Sequence, residues 1–173
     1  YNISERQVIP LNVQISRDIP VSFFDEISHI IANDEFLTLD RYGHHRNTSR
    51  LMHSINVSYL SWKIARRIKC DESVAARAGL LHDFCPYDFR EKTPTGEHQA
   101  FYHPKAAVEN SERVFNINDK EKSIIHSHMF PLGPLPRHRE AWIITVVDKI
   151  CACLEFFHIS YALARKNRFV VNG

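Results

Sequence analysis

Residues 78–85, "AGLLHDFC", place a histidine and an aspartate side by side at the end of an apolar run. Burying a titratable group costs free energy unless a hydrogen bond, an opposite charge or a metal ion compensates it. Because adjacent helical residues point about 100° apart, His82 and Asp83 do not face each other, but near a helix end both can reach one ion. Imidazole and carboxylate together suit iron, manganese or zinc. A two-residue match is weak by itself, so the pair indicates a metal site only if further ligands lie near it.

Apolar residues on both sides of this pair recur at helical spacing, and no alternating strand pattern of useful length follows the first fifteen residues. Residues that can cap these segments are Asp18, Thr48 or Ser49, Asp71 and Asn118. The predicted helices are 20–33, 50–69, 72–84, 104–115, 119–129 and a long helix from Glu140 through the apolar segment 141–164. This pattern predicts an all-α fold.

Prolines mark several predicted helix boundaries. Pro104 is predicted as the first residue of its helix, because its fixed φ and missing N–H suit that position, and His103 then lies at the N-terminal edge. Pro86 and Pro131 end the helices before them, since the residue preceding a proline avoids helical dihedrals. Breaker-rich loops are expected at 86–100 and 131–139.

Length and composition limit the class of protein. The 173 residues fit one domain, and a formal charge of +2 spread along the chain gives no support to nucleic-acid binding. Four cysteines imply no disulfide framework, the first residues lack the pattern of a signal peptide, and charges interrupt the segment 141–164, so no membrane association is expected. We therefore expect a cytoplasmic protein with an N-terminal extension (1–20), one domain (21–165) and a C-terminal tail (166–173).

Metal-binding side chains occur on five predicted helices. Along the chain they are His53 on the central helix, His82 and Asp83 at the end of the next, His103 at the start of a third, His128 at the end of a fourth, and Asp148 inside the last. His126 stands two residues before His128, and two such residues diverge by about 200° on a helix, so only one of them is expected to face a shared site.

Asp148 interrupts an otherwise apolar helix. Its predicted apolar stripe consists of Ile143, Val146, Val147, Ile150, Leu154, Phe157 and Tyr161. The face of Asp148 carries Thr145, Cys151, Ala152 and Glu155 instead. An unpaired buried charge costs several kcal/mol, roughly, so Asp148 needs a partner. A metal ion or an arginine such as Arg50 or Arg137 would serve, and the residues alone leave both open.

The order His, His-Asp and a distant Asp resembles that of the HD-domain metal-dependent phosphohydrolases. The resemblance covers about residues 40–155 and is carried by "RLMHSINVSYLSWKIA", "AARAGLLHDF", "HPKAAVEN", "IIHSHM" and "IITVVDK". It implies a single-domain, HD-type helical bundle with a metal site at its centre. Two subgroups are most similar: uncharacterised bacterial HD hydrolases that share the segment beginning "HMFPL", and the di-iron dinucleoside tetraphosphatases.

The resemblance implies two divalent metal ions. His53, His82, Asp83 and Asp148 would hold one ion, and Asp83 would bridge to a second ion held by His103 and His128, the family position favouring His128 over His126. Iron or manganese is favoured, with zinc, nickel and magnesium as alternatives.

The implied activity is hydrolysis of a phosphoester or phosphoanhydride bond in a nucleotide, dinucleotide or similar small phosphorylated metabolite, through a metal-activated hydroxide. Asp83 and Arg50 are the implied catalytic residues, since Arg50 shares a helix face with His53. Candidates for binding this substrate, the expected partner, are Arg50, His44, His45, Arg90, Lys92, Arg137 and Lys149. A homodimer is an open expectation. Two other interpretations also stay open: a di-iron oxygenase of this fold, and a non-catalytic metal-binding signalling module.

Overall fold

Seven α-helices form most of the described part of the chain, which confirms the all-α prediction. This computed structural model describes residues 20–45 and 48–156, with side chains except at 44 and 45, and the backbone of three short strands outside that range. The helices are α1 (Val21–Ile31), α2 (Asp34–Leu37), α3 (Arg50–Arg67), α4 (Glu72–Leu81), α5 (Gln99–Phe115), α6 (Asp119–Ser127) and α7 (Arg139–Phe156). A 3₁₀ turn, Thr38–Arg41, follows α2.

Five strands of two or three residues accompany the helices. They are β1 (Gln14–Ile15), β2 (Gly43–His45), β3 (Thr48–Ser49), β4 (Ala164–Arg165) and β5 (Arg168–Phe169). β2 and β3 form an antiparallel pair, and β5 lies between a parallel β1 and an antiparallel β4. β1 thus joins the predicted N-terminal extension to β5 in the predicted tail, while the domain boundaries themselves stay predictions.

The central helix α3 packs against α4 and α7. Every residue from 50 to 59 is buried, and the side chain of Ser49 accepts a hydrogen bond from the backbone N–H of Met52 at 3.2 Å, so the predicted cap is confirmed. Gly79 of α4 lies so close to α3 that a Cβ at this position would be 3.1 Å from the Cα of Ser58. This close approach brings the C-terminal end of α4, which carries His82, against α3.

The turn after α4 is anchored by an aromatic core. Phe84, directly after Asp83, is fully buried, and its ring centroid lies 5.4 Å from that of Phe36 and 5.7 Å from that of Phe115. Burial of such a side chain stabilises a fold by about 1.5–3 kcal/mol. The His-Asp pair is therefore fixed by helix packing on one side and by a core aromatic on the other.

The start of α5 differs from its prediction. The helix begins at Gln99, with His98 as N-cap, and Pro104 lies inside it. The preference of proline for the first helical position was misleading, because the cap at His98 and the burial of Ala100 and His103 set the start five residues earlier. Pro104 leaves the Ala100 carbonyl without its usual N–H partner. Because the helix begins at Gln99, His103 lies within it and not at its edge.

The predicted apolar stripe of α7 is wrong in part. Val146 and Ile150 are about half exposed, whereas Thr145, Cys151 and Glu155, on the face of Asp148, are buried. Apolar residues lie on nearly all sides of this helix, so periodicity could not select the inward face. On that face Asp148 and Glu155 contact His53 of α3. Phe157 and Tyr161 lie outside the described residues. Ala164 belongs to β4, so the helix does not continue through residue 164 as predicted.

Other helix ends also differ from prediction. The N-cap of α1 is Pro20, whereas the predicted cap Asp18 lies outside the described residues. The short helix α2 was not predicted. α4 ends at Leu81, with His82 as its C-cap, because the backbone turns there to reach Pro86. The predicted caps Asp71 and Asn118 are confirmed, the latter in a reciprocal capping box with Glu121. Within the described ranges, no helix combines the length and apolarity that a membrane span requires.

Candidate metal centre

Four buried histidines share one orientation. In each ring Nδ1 lies at hydrogen-bond distance from an oxygen that can only accept: the Glu155 carboxylate for His53 (2.9 Å) and the carbonyls of Gly79 for His82 (2.8 Å), Gln99 for His103 (2.7 Å) and Ile125 for His128 (2.7 Å). Nδ1 must therefore carry the proton as donor, and in the neutral ring Nε2 carries the lone pair. This tautomer is the one that histidine ligands adopt when a neighbouring oxygen orients them towards a metal.

His53, His82 and Asp148 form the first group of ligand atoms. The Asp148 Oδ1 atom lies 3.0 Å from His53 Nε2 and 3.6 Å from His82 Nε2, and all three ligand atoms lie within 4.8 Å of one another. Burial alone would raise the pKa of Asp148, but the hydrogen bond with His53 and the charge of His82 beside it hold this pKa well below its usual range. Helices α3, α4 and α7 thus bring together three side chains that can hold one cation.

Asp83 joins this group to a second one. Its Oδ2 atom lies 3.8 Å from His82 Nε2, while its Oδ1 atom lies 3.4 Å from His103 Nε2 and 3.7 Å from His128 Nε2. His82, Asp83 and His128 also have ligand atoms within 4.8 Å of one another. The two oxygens of one carboxylate therefore face different sets of histidines, which is the geometry a bridging ligand needs.

The chemistry of these side chains fits a divalent cation. The Nε2 atoms of His103 and His128 lie 2.9 Å apart although both Nδ1 atoms act as donors, so a proton or a cation is needed between two lone pairs. Burial, followed by the charges of His103 and His82, lowers the pKa of His128 to about 3, so this ring is neutral and available as a ligand. The buried Nε2 of His82 has no hydrogen-bond partner among the described residues. Imidazole and carboxylate ligands of this kind suit a transition-metal ion.

Glu155 contacts a predicted ligand, although the sequence predicted it only as part of the face of Asp148. Its Oε2 atom accepts from His53 Nδ1 at 2.9 Å, and its Oε1 atom accepts from Asn56 Nδ2 at 3.3 Å. Burial would lower the pKa of His53, but the carboxylates of Asp148 and Glu155 outweigh burial and raise it to about 10. The signal in the sequence was the spacing, since residues seven apart lie on the same helix face.

The predicted substrate-binding residues have different environments. Lys149 is about half exposed, and its Nζ donates to the carbonyls of His128 (3.1 Å) and Thr145 (3.2 Å), 3.9 Å from Asp148 Oδ2. Arg50 is 1% exposed. The other described candidates, Arg90, Lys92 and Arg137, are exposed at the surface. Arg90 forms an ion pair with Asp88. The side chains of His44 and His45 lie outside the described residues.

Two choices that the sequence left open have a structural answer. Asp148 lies beside His53, His82 and Lys149, and neither Arg50 nor Arg137 pairs with it in the described part of the chain. His128 is buried beside Asp83, whereas His126 is exposed. The divergence of residues two apart on α6 thus separates the two histidines.

Comparison with known proteins agrees with this arrangement. A family model described as HD domain matches residues 50–153, which is more than half of the chain and includes all six predicted ligands. No curated protein and no solved structure matches the chain. The HD domain is typical of a superfamily of metal-dependent hydrolases, and the two groups of histidine and aspartate side chains could hold a metal ion. By the extent of this match, the chain belongs to the HD domain family.

Proposed function

We propose that the chain is a metal-dependent phosphohydrolase that cleaves a phosphoester or phosphoanhydride bond of a nucleotide, dinucleotide or similar small phosphorylated metabolite. The observation that carries this proposal is the position of Asp83, whose two oxygens face His82 on one side and His103 and His128 on the other. A carboxylate placed in this way can bridge two ions about 3.5–4 Å apart, the separation found in two-metal hydrolases.

The ligands divide into two sets around Asp83. His53, His82 and Asp148 would hold one divalent ion, and His103 and His128 the second. When bound, such ions act as Lewis acids on phosphoryl oxygens and activate water as the nucleophile. The protein residues then have to bind the ions, orient the phosphate and exclude competing reactions.

Lys149 is the side chain best placed to bind the substrate phosphate. Two backbone carbonyls fix its Nζ beside Asp148, while about half of the side chain stays exposed. A cation held in advance in this way attracts an anionic phosphate without first having to order a long side chain.

The two buried cysteines, Cys85 and Cys151, are unsuited to act as the nucleophile. Burial raises the pKa of the Cys85 thiol well above its usual value, and the nearby charge of Asp83 raises it further. Burial also raises the pKa of Cys151. Both thiols therefore stay protonated near neutral pH, and a thiolate nucleophile is unavailable from either. This supports water as the attacking group.

The proposal is tested by substrate turnover with defined metal content. We expect purified protein reconstituted with manganese or iron to release phosphate or a nucleotide product from a panel of nucleotides, dinucleotides and a generic phosphodiester. Asp83→Asn should abolish this turnover, while Arg66→Gln, which removes an exposed arginine remote in sequence from every ligand, should leave it unchanged.

Two outcomes would overturn the proposal. Equal turnover in chelated, metal-free protein would show that the metal centre is not needed. Oxygen consumption with iron, together with no phosphohydrolase activity under any metal, would instead support an oxygenase on this fold.

A further inference from the structure

We infer that Arg50 is a positioning residue that holds Phe89 and the segment after Asp83 against His103, and that it does not bind the substrate. The inference rests on the proposed function only in taking His103 and Asp83 as metal ligands. It replaces the role that the family resemblance implied for this arginine.

The burial of Arg50 argues against a substrate contact. The side chain is 1% exposed at the start of α3, and one of its terminal nitrogens donates to the carbonyls of Cys85 at 2.5 Å and Tyr87 at 2.8 Å. Both carbonyls belong to the segment that directly follows Asp83. A phosphate could reach this guanidinium only if the segment moved away from it.

The plane of the guanidinium is also occupied. Its central carbon lies 3.6 Å from the centre of the Phe89 ring, with the Tyr42 ring at 5.4 Å. The Phe89 ring in turn lies 5.1 Å from the imidazole of His103, tilted by 42°. Arg50, Phe89 and His103 therefore form a continuous series of contacts from α3 to the second group of ligands.

The same segment is held from a second side. The Tyr42 hydroxyl donates to the carbonyl of Pro86 at 2.9 Å, and the Cys85 thiol donates to the carbonyl of His103 at 3.3 Å. Arg50 thus lies at the centre of a set of contacts that fixes residues 85–89 relative to His103. A guanidinium suits this role, because it is planar and can stack on a ring while it donates to two carbonyls.

Lysine cannot replace the contact with Phe89. An ammonium group keeps the positive charge and can donate to a carbonyl, but it has no plane to stack on the Phe89 ring. A substrate-binding arginine behaves differently, since a lysine at a phosphate contact retains much of the electrostatic attraction. The lysine variant therefore separates the two roles.

The experiment compares Arg50→Gln, Arg50→Lys and Phe89→Ala with the wild type and with Arg66→Gln. Manganese is titrated into each metal-free protein, and the His103 ring Cε1–H resonance is recorded without metal. We expect all three variants to shift this resonance. We also expect the weaker of the two manganese-binding events to lose affinity about 10-fold or more, as is typical when a residue that orients a ligand is removed. Arg66→Gln should match the wild type.

The inference is overturned if Arg50→Gln keeps the wild-type resonance and manganese affinity while KM for a phosphorylated substrate rises and Arg50→Lys partly restores it. It is also overturned if Phe89→Ala has no effect on either readout. Phe89 carries no charge and is only half-buried, so its variant tests the link to His103 even if the Arg50 variants fail to fold. The resonance and the manganese affinity need no turnover, so a failure of the proposed function would leave both readouts intact and would remove only the KM comparison.

Discussion

The Nε2 atoms of His103 and His128 lie 2.9 Å apart, although each ring already directs its Nδ1 to a backbone carbonyl. Two nitrogen lone pairs at this distance repel unless a proton or a metal ion lies between or beside them. The neighbouring carboxylate of Asp83 favours a cation at the same place. Without a metal ion a proton must therefore lie between the two nitrogens, and a cation could take its place.

We expect metal binding to stabilise the fold. Manganese at 100 times its dissociation constant should contribute about 2.7 kcal/mol, which for a chain of this size raises Tm by about 5–10 °C. Differential scanning fluorimetry of metal-free and reconstituted protein measures this shift. His126→Ala removes an exposed histidine two residues from His128 and should retain it. An unchanged Tm on saturation would argue against a metal centre at these residues.

Removing Asp83 should affect metal content more than removing His103. Asp83 faces both groups of ligands, so Asp83→Asn should lower the bound metal below about a tenth of the wild-type value. His103→Ala leaves His53, His82 and Asp148 in place, so it should retain the metal held by this group. Elemental analysis after desalting checks both. Equal metal loss in the two variants would contradict a bridging role for Asp83.

The packing of α4 against α3 gives a prediction about stability. Gly79→Ala would place a Cβ 3.1 Å from the Cα of Ser58, and backbone atoms cannot move aside as a flexible side chain can. We expect the free energy of unfolding to fall by about 1–3 kcal/mol, the usual cost of overpacking, with weaker metal binding because His82 follows on the same helix. Gly43→Ala, where nothing lies within 4 Å of the added Cβ, is the matched control in urea unfolding.

The candidate ligands could be predicted from sequence because each lies in a short local pattern. His82 and Asp83 stand together at a helix end, and the order of His53 and Asp148 around them is that of a known family. Helical geometry shows that only one of His126 and His128 faces the site, and the family position favours His128. Local pattern, helix periodicity and the family's order of residues were together enough for the fold class and for the positions of these residues along the chain.

The environments of Arg50 and Glu155 could not be predicted in the same way. Helix spacing places Arg50 on the face of His53, but its burial depends on Phe89 and the carbonyls of a loop whose path no periodicity determines. Glu155 lies on the face of Asp148, yet only the packing of α7 against α3 shows that it contacts His53. Long-range contacts of this kind are absent from local sequence patterns.

Metal binding should release at least one proton at pH 7. The carboxylates of Asp148 and Glu155 raise the pKa of His53 to about 10, so the metal-free ring is protonated at neutral pH and must lose a proton to act as a ligand. Metal affinity should therefore rise with pH up to about pH 10, by up to about tenfold per pH unit. Calorimetric titrations in two buffers of different ionisation enthalpy measure the protons released. Zero release at pH 7 would show that His53 is neutral in the metal-free protein.

Glu155 should orient His53 through its hydrogen bond and tune the imidazole through its charge. Glu155→Gln keeps an oxygen that can accept from Nδ1 but removes the charge, so the pKa of His53 should fall and fewer protons should be released on metal binding. Glu155→Ala removes the acceptor as well and leaves the Asn56 amide without this partner, so metal affinity should fall about 10- to 100-fold. Metal titration of both variants, with proton release as the second readout, separates the two effects. A wild-type affinity in Glu155→Ala would mean that the packing around His53 alone fixes its ring, and that the carboxylate contributes nothing to the metal centre.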